Sequence, residues 1–394
     1  MANQALFGYT EVPPTAPPLV QATLVGTQGA QLVRQVSART PQQSVEQIRA
    51  GLVELGVPCG LAQMLADEDS KIGLRMYLLD NSGSTAASDG NLVEAGPGGT
   101  YSFRGATRWD EICALAMDHA KWNLVTGIPC EFMLLNCTAR DQQSPMTEGR
   151  DFVHIDRSTG VSDGDQIAGL KRMLDANGPR GVTPITARVQ EIHQRIKQEF
   201  QDLTRQGQFV FLNLCTDGMP TSPMSGQSSP KDQADMCEAL RHLCTDLPVQ
   251  LVIRLCTDDD ATVAYYNKVD EDMELPLDIL DDMRGEAKEI AAAGNGWFSY
   301  TPLLHRIREA GTMCKLLDLL DERQLNPVEV KKLVQLLCDS PKPLPNDNAQ
   351  FVKELRDVIG KSRQVFDARA GRMQNFVDLN GVKRALGVGG CSVM

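Results

Sequence analysis

Asp80, Ser82 and Ser84 stand two residues apart in Asp80-Asn81-Ser82-Gly83-Ser84-Thr85, where the apolar run LRMYLLD (74–80) ends. An acid and two hydroxyls so placed offer hard oxygen donors on one short loop, and the glycine between the serines lets the chain turn tightly. Two further segments carry the same chemistry. Gly181-Val182-Thr183-Pro184 presents a hydroxyl just before a helical stretch, and Thr216-Asp217-Gly218 closes the apolar run FVFLNLCTD (209–217). Asp80, Ser82, Ser84, Thr183 and Asp217 include no imidazole and no thiolate. The set therefore suits Mg²⁺, Mn²⁺ or Ca²⁺ and disfavours zinc. Ser, Thr, Asp and Gly also serve as helix caps and turn residues, so any one segment alone has a plain structural reading.

Donors scattered over the chain need a scaffold that brings strand ends together. Residues 71–311 alternate the two kinds of element. Strand-like runs are LRMYLLD (74–80), EFMLLN (131–136), FVHI (152–155), FVFLNLCTD (209–217), VQLVIRLC (249–256) and a weaker WFSY (297–300). Amphipathic stretches separate them at 109–125, 165–177, 186–203 and 232–244. Continuous apolar strands between such helices imply an α/β fold with a doubly wound, mostly parallel sheet. FVHI follows EFMLLN with no helix between them and is expected to pair antiparallel at an edge. Residues 44–70 read as a helical cap, with Val45, Ile48, Leu52 and Leu55 spaced by three and four. Residues 312–386 read as a helical extension without strand signal. In a doubly wound sheet, ligands bind beyond the carboxyl ends of the strands, where the three donor segments fall.

D-x-S-x-S, a loop threonine in G-x-T-P and a later T-D-G, in that order and each at a strand end or loop, resemble the metal-ion-dependent adhesion site. The stretch 71–311 is similar to the type A domain of von Willebrand factor, of integrin inserted domains and of copines. That resemblance implies Ser82, Ser84 and Thr183 as ligands, with Asp80 and Asp217 contacting the ion directly or through water. A hard cation held partly by neutral hydroxyls keeps positive charge and an open position, which a partner's Asp or Glu can fill. The implied function is a metal-dependent protein-binding module, an adaptor and not an enzyme. A metal-dependent hydrolase on a doubly wound fold is the alternative from another class. A strand-end aspartate with Mg²⁺ resembles haloacid-dehalogenase phosphatases, but those place a second acid where this chain has Ser82, and the sequence contains no G-x-S-x-G elbow or P-loop. A third reading is a regulatory subunit that binds through its helical tail.

The 394 residues carry a net charge of −12, which repels phosphate backbones and argues against nucleic acid as a partner. Eleven cysteines without a C-x-x-C pair read as reduced thiols in a cytoplasmic protein. No apolar run reaches the roughly 18 residues of a membrane span. The histidines at 119, 154, 193, 242 and 305 show no metal-binding spacing and read as structural or surface residues. Thr257-Asp258-Asp259-Asp260 follows a strand and reads as a solvated acidic loop, or as a second site for a cation or a basic partner. The acidic stretch 270–282 has the same plain reading. Residues 1–43 form a Pro-rich arm expected to be disordered. Within it Pro14-Thr15-Ala16-Pro17 is similar to the late-domain motif bound by the ESCRT-I complex, though a bland Pro-rich tail accounts for it as well. Residues 387–394 read as a flexible tail ending Cys391-Ser392-Val393-Met394, a C-a-a-X pattern of the farnesyl type. Lipidation at Cys391 would divide the protein between the cytoplasm and the cytoplasmic face of membranes, because one lipid chain binds only marginally.

Overall fold

The computed structural model describes residues 43–388, apart from 98–99, 138–145, 223–224, 258, 274, 339 and 341. The arm with Pro14–Pro17, Asp258 and the tail with Cys391 lie outside the described residues. Two short helices come first, α1 (Val45–Glu54) and α2 (Cys59–Asp69), the former closed by a capping box between Ser44 and Gln47. Next come β1 (Ile72–Leu79), a hairpin of β2 (Gly90–Ala95) and β3 (Tyr101–Ala106), α3 (Arg108–Thr126), β4 (Cys130–Leu134) and β5 (Phe152–Ile155). Helices α4 (Asp163–Ala176) and α5 (Ile185–Arg205) lead into β6 (Phe209–Thr216), α6 (Pro230–Asp246), β7 (Val249–Leu255), α7 (Asp260–Met273) and β8 (Leu277–Leu280). The remainder contains α8 (Met283–Ile290), α9 (Pro302–Glu309), α10 (Lys315–Glu322), α11 (Pro327–Leu337), α12 (Asn348–Lys361), a ribbon of β9 (Val365–Asp367) and β10 (Arg372–Gln374), and α13 (Leu379–Ala385).

The main sheet has six strands in the order β5-β4-β1-β6-β7-β8. All pairs are parallel except β4–β5, which is antiparallel at the edge. The alternation of side chains along β1 explains why it is apolar on both faces except at Arg75, whose buried guanidinium is paired with Asp69. Leu74, Met76 and Leu78 face one layer, which includes Ile185, Val189, Ile192 and Ile196 of α5. Tyr77 and Leu79 face the other, with Ile112, Leu115 and Ala120 of α3. Both sheet faces are thus covered, and each fully buried Leu or Ile contributes roughly 1.5–3 kcal/mol. This is an α/β fold with helices flanking a mostly parallel sheet.

The chain leaves β1 toward β4 on one side and reaches β6 on the other side of β1. The connections therefore diverge between β1 and β6, and a crevice opens beyond their carboxyl ends. Leu79 pairs with Cys215, which sets Asp80 level with Thr216 at the floor of that crevice. A second core joins the two ends of the described chain: Ile48, Leu52 and Leu61 pack in one cluster with Trp297, Leu317, Val330, Phe351 and Val382.

Three expectations need correction. WFSY (297–300) is not a strand of the sheet. Trp297, Phe298 and Tyr300 are buried in the second core, and Phe298 makes only an isolated bridge to Val377. The sixth strand is LDIL of β8, whose flanking acids hide its apolar character. The stretch 270–282, read as a solvated loop, therefore contains the end of α7 and all of β8. Residues 312–386 do carry strands, β9 and β10, each of three residues and too short to show a period of two.

Candidate metal centre

Asp80 is fully buried at the end of β1, and the turn after it folds back onto its side chain. The Ser82 backbone N–H donates to Asp80 Oδ1 at 2.8 Å. Thr85 Oγ1 donates to the Ser82 carbonyl at 2.8 Å, closing a single 3-10 turn over Gly83–Ala86. From β6, Thr216 Oγ1 donates to Asp80 Oδ2 at 2.6 Å, and Ser84 Oγ donates to Asp217 Oδ1 at 2.8 Å. Ser82 Oγ and Ser84 Oγ lie 3.0 Å apart. Four of the five expected donors, Asp80, Ser82, Ser84 and Asp217, thus form one hydrogen-bonded cluster across the crevice.

Thr183 reaches the same place by a different route. Its backbone is pinned to Thr221 in both directions, N–H to Oγ1 at 2.9 Å and carbonyl from N–H at 3.0 Å. A Cβ at Gly218 would lie 3.8 Å from Thr183 Oγ1, so the hydroxyl adjoins the residue after Asp217. The loop carrying Thr183 depends on Gly181, which has φ +74° and whose Cβ would stand 2.8 Å from Asn136 Oδ1. Asn136 in turn donates to the Val182 carbonyl at 2.7 Å and exchanges two bonds with Asn81, at 2.7 and 3.1 Å. Asn81 and Asn136 therefore clamp the loop after β1, the loop after β4 and the loop carrying Thr183 together, a role no motif spacing indicates.

Burial, followed by repulsion from Asp217, pushes the Asp80 carboxyl up to about 6. Two carboxylates share the crevice with neutral hydroxyls between them, and the excess negative charge is what a hard divalent cation would neutralise. The donor set fits such an ion: all oxygens, two anionic and the rest hydroxyl. One further residue was not foreseen. Arg108, the first residue of α3, donates through Nη1 to Asp217 Oδ2 at 3.0 Å and through Nη2 to Asp89 Oδ2 at 2.6 Å. Its guanidinium spans both acids, and Asp89 offers it an alternative partner if Asp217 is engaged elsewhere. Sequence position at a helix start carries no signal for this contact, because Asp217 is remote along the chain.

The other sequence candidates separate from this centre. Asp259 accepts from the Thr262 N–H and Oγ1 at 2.9 and 2.8 Å, a local cap at the start of α7. His119 and His305 are fully buried around Glu309, far from solvent, whereas His242 is exposed. The ten described cysteines are all free thiols. No described helix is long and apolar enough to cross a membrane. Compared with protein-family models and with curated proteins, the chain matches none.

Proposed function

We propose that the chain is a metal-dependent protein-binding module of the von Willebrand factor type A kind, using Mg²⁺ or a similar ion to capture a partner's Asp or Glu. The observation that carries this reading is the convergence of Asp80, Ser82, Ser84 and Asp217 on one cluster at the point where the sheet's connections diverge. Ser82, Ser84 and Thr183 would hold the ion, with Asp80 and Asp217 in direct or water-bridged contact. When bound, the ion supplies a Lewis-acidic position open to a carboxylate oxygen. The chain's own part is positioning. The Asn81–Asn136 clamp holds the loops carrying Asp80 and Thr183 together, Thr216 fixes the Asp80 carboxylate, and Arg108 places a second positive group beside the crevice mouth. A partner presenting an acidic side chain meets both. By the same proposal the protein is an adaptor without catalytic residues, and farnesylation at Cys391 tethers a fraction of it to the cytoplasmic face of membranes.

The test is capture from cell extract by the full chain, comparing wild type with Asp80→Ala and Thr183→Ala, with and without chelator. A partner retained only by the wild type with metal supports the reading. A partner whose retention ignores chelator and both substitutions overturns it. Labelling with a farnesyl analogue, wild type against Cys391→Ser, tests the tether separately. Absence of label on the wild type removes the tether and leaves the binding module intact.

A further inference from the structure

An open cleft of about 770 Å³ lies well away from the candidate centre, lined by early residues of β6, β7 and β8 and by α7 and α10. Its charged lining is entirely acidic, with Asp270, Glu271, Asp278, Glu289, Asp318 and Asp321 among the lining residues and no lysine, arginine or histidine. At one end, single oxygens of Glu286, Glu289 and Asp321 all lie within 4.8 Å of one another. Metal–oxygen distances of about 2.3–2.6 Å place ligands on opposite sides of a Ca²⁺ ion about 5 Å apart, so this spacing is that of one coordination sphere.

The independent observation is the state of Glu286. Its side chain is fully buried, and Oε1 has no hydrogen-bond donor. A buried acceptor left unpaired costs about 1–3 kcal/mol, more when charged. The other oxygen accepts from Arg308 Nη1 at 2.9 Å, and Arg308 Nη2 donates to Asp321 Oδ2 at 2.9 Å. Arg308 therefore orients two of the three acids as an outer partner orients metal ligands. These carboxylates share one guanidinium, which Asp278 also approaches at 3.9 Å, so acids outnumber cations around the cluster. Helix α8 contributes Glu286 and Glu289, one turn apart on the same face, and α10 contributes Asp321.

We propose that Glu286, Glu289 and Asp321 form a second, separate binding site for a divalent cation of the Ca²⁺ class, with the open cleft supplying water to complete the coordination. The competing account is a proton shared between Glu286 and Asp321, with no metal involved.

The experiment is calorimetric titration of the full, chelator-stripped chain with Ca²⁺ and with Mn²⁺ at pH 7.5. In the Asp80→Ala/Asp217→Ala chain, which lacks the first site, one binding event is expected to remain. Adding Glu289→Gln and Asp321→Asn is expected to abolish it, and exposed Glu289→Gln alone, the gentler variant, to weaken it at least tenfold. Glu271→Gln, elsewhere in the cleft, is expected to leave it unchanged. No binding by the Asp80→Ala/Asp217→Ala chain, its melting curve intact, overturns the proposal in favour of the shared proton. So does binding that survives Glu289→Gln/Asp321→Asn. The first site's failure is read separately, as a wild-type chain with only the event that Glu289→Gln weakens.

Discussion

Asp80 and Glu309 are both fully buried carboxylates, and the fold treats them in opposite ways. Around Glu309, burial alone would raise its pKa. Arg306, His305 and His119 outweigh that and hold it well below the usual range. Arg306 Nη1 lies 2.6 Å away, His305 Nε2 3.1 Å, Arg254 Nε 3.2 Å and His119 Nε2 3.3 Å. Arg254, Arg306 and His119 hydrogen-bond its two oxygens from within the protein. Around Asp80 the partners are hydroxyls and one backbone N–H, and its nearest charged neighbour is another acid. A carboxylate the fold neutralises completely is structural. One left short of positive charge at the floor of a crevice is, under the proposed function, where an ion from outside would be held.

The contrast is broken most directly by Glu309→Ala. Removal leaves Arg254 and Arg306 buried without their shared anion, and the expected loss is about 3–5 kcal/mol in urea unfolding. A loss under about 1 kcal/mol would mean that the network is incidental.

Acid acts on the same network through His305, whose pKa burial lowers to about 4 despite the opposing pull of Glu309. The unfolded histidine titrates near 6.5, so the folded state binds fewer protons between these values and stability rises with pH there. Its contribution is complete above about 6.5 and is lost as pH falls toward 4, by up to about 3 kcal/mol. His305→Gln should flatten that part of the stability–pH curve. An unchanged slope assigns the acid sensitivity to other groups.

At the strand ends the expected effect comes from outside. Mg²⁺ or Mn²⁺ at a hundred times its dissociation constant should stabilise the chain by about 2.7 kcal/mol by mass action. In a Glu289→Gln/Asp321→Asn chain, which isolates this centre, Ser82→Ala with Asp217→Ala should remove the shift in melting temperature. A shift that persists places the ion elsewhere.

Arg108→Ala gives the smallest effect and sharpens the comparison most. The guanidinium competes with the ion for Asp217, so its removal should tighten Mn²⁺ binding about two- to fivefold, or about 0.5–1 kcal/mol. Weaker binding would instead make Arg108 a residue that positions Asp217.

Much of this was legible beforehand because it depends on short-range pattern. The runs at 74–80, 209–217 and 249–256 are strands because both faces of the sheet are covered, which makes nearly every position apolar, with Arg75, Asn213 and Arg254 as buried exceptions. FVHI pairs antiparallel at the edge because no crossover separates it from β4. The strand-end oxygens were visible because loops at those ends need turn-forming residues, and an acid with two hydroxyls exceeds that need. WFSY misled because aromatic content signals burial without saying against what. LDIL was missed because its own Asp278 and its neighbours Asp281 and Asp282 make the segment look solvated when it forms a sheet edge beside an acidic cleft.

By itself the sequence determined the alternation of strand and helix, the apolar faces, and the placing of Asp80, Ser82, Ser84, Thr183 and Asp217 at loops. These follow from periodicity and turn chemistry, which act over a few residues. Tertiary structure alone decided that Arg108 meets Asp217, that Asn81 and Asn136 lock the loops, that four cationic or imidazole groups surround Glu309, and that Glu286 faces Asp321. Those pairings join side chains distant in the chain, and only the packing of helices on a particular strand order brings them within hydrogen-bonding reach.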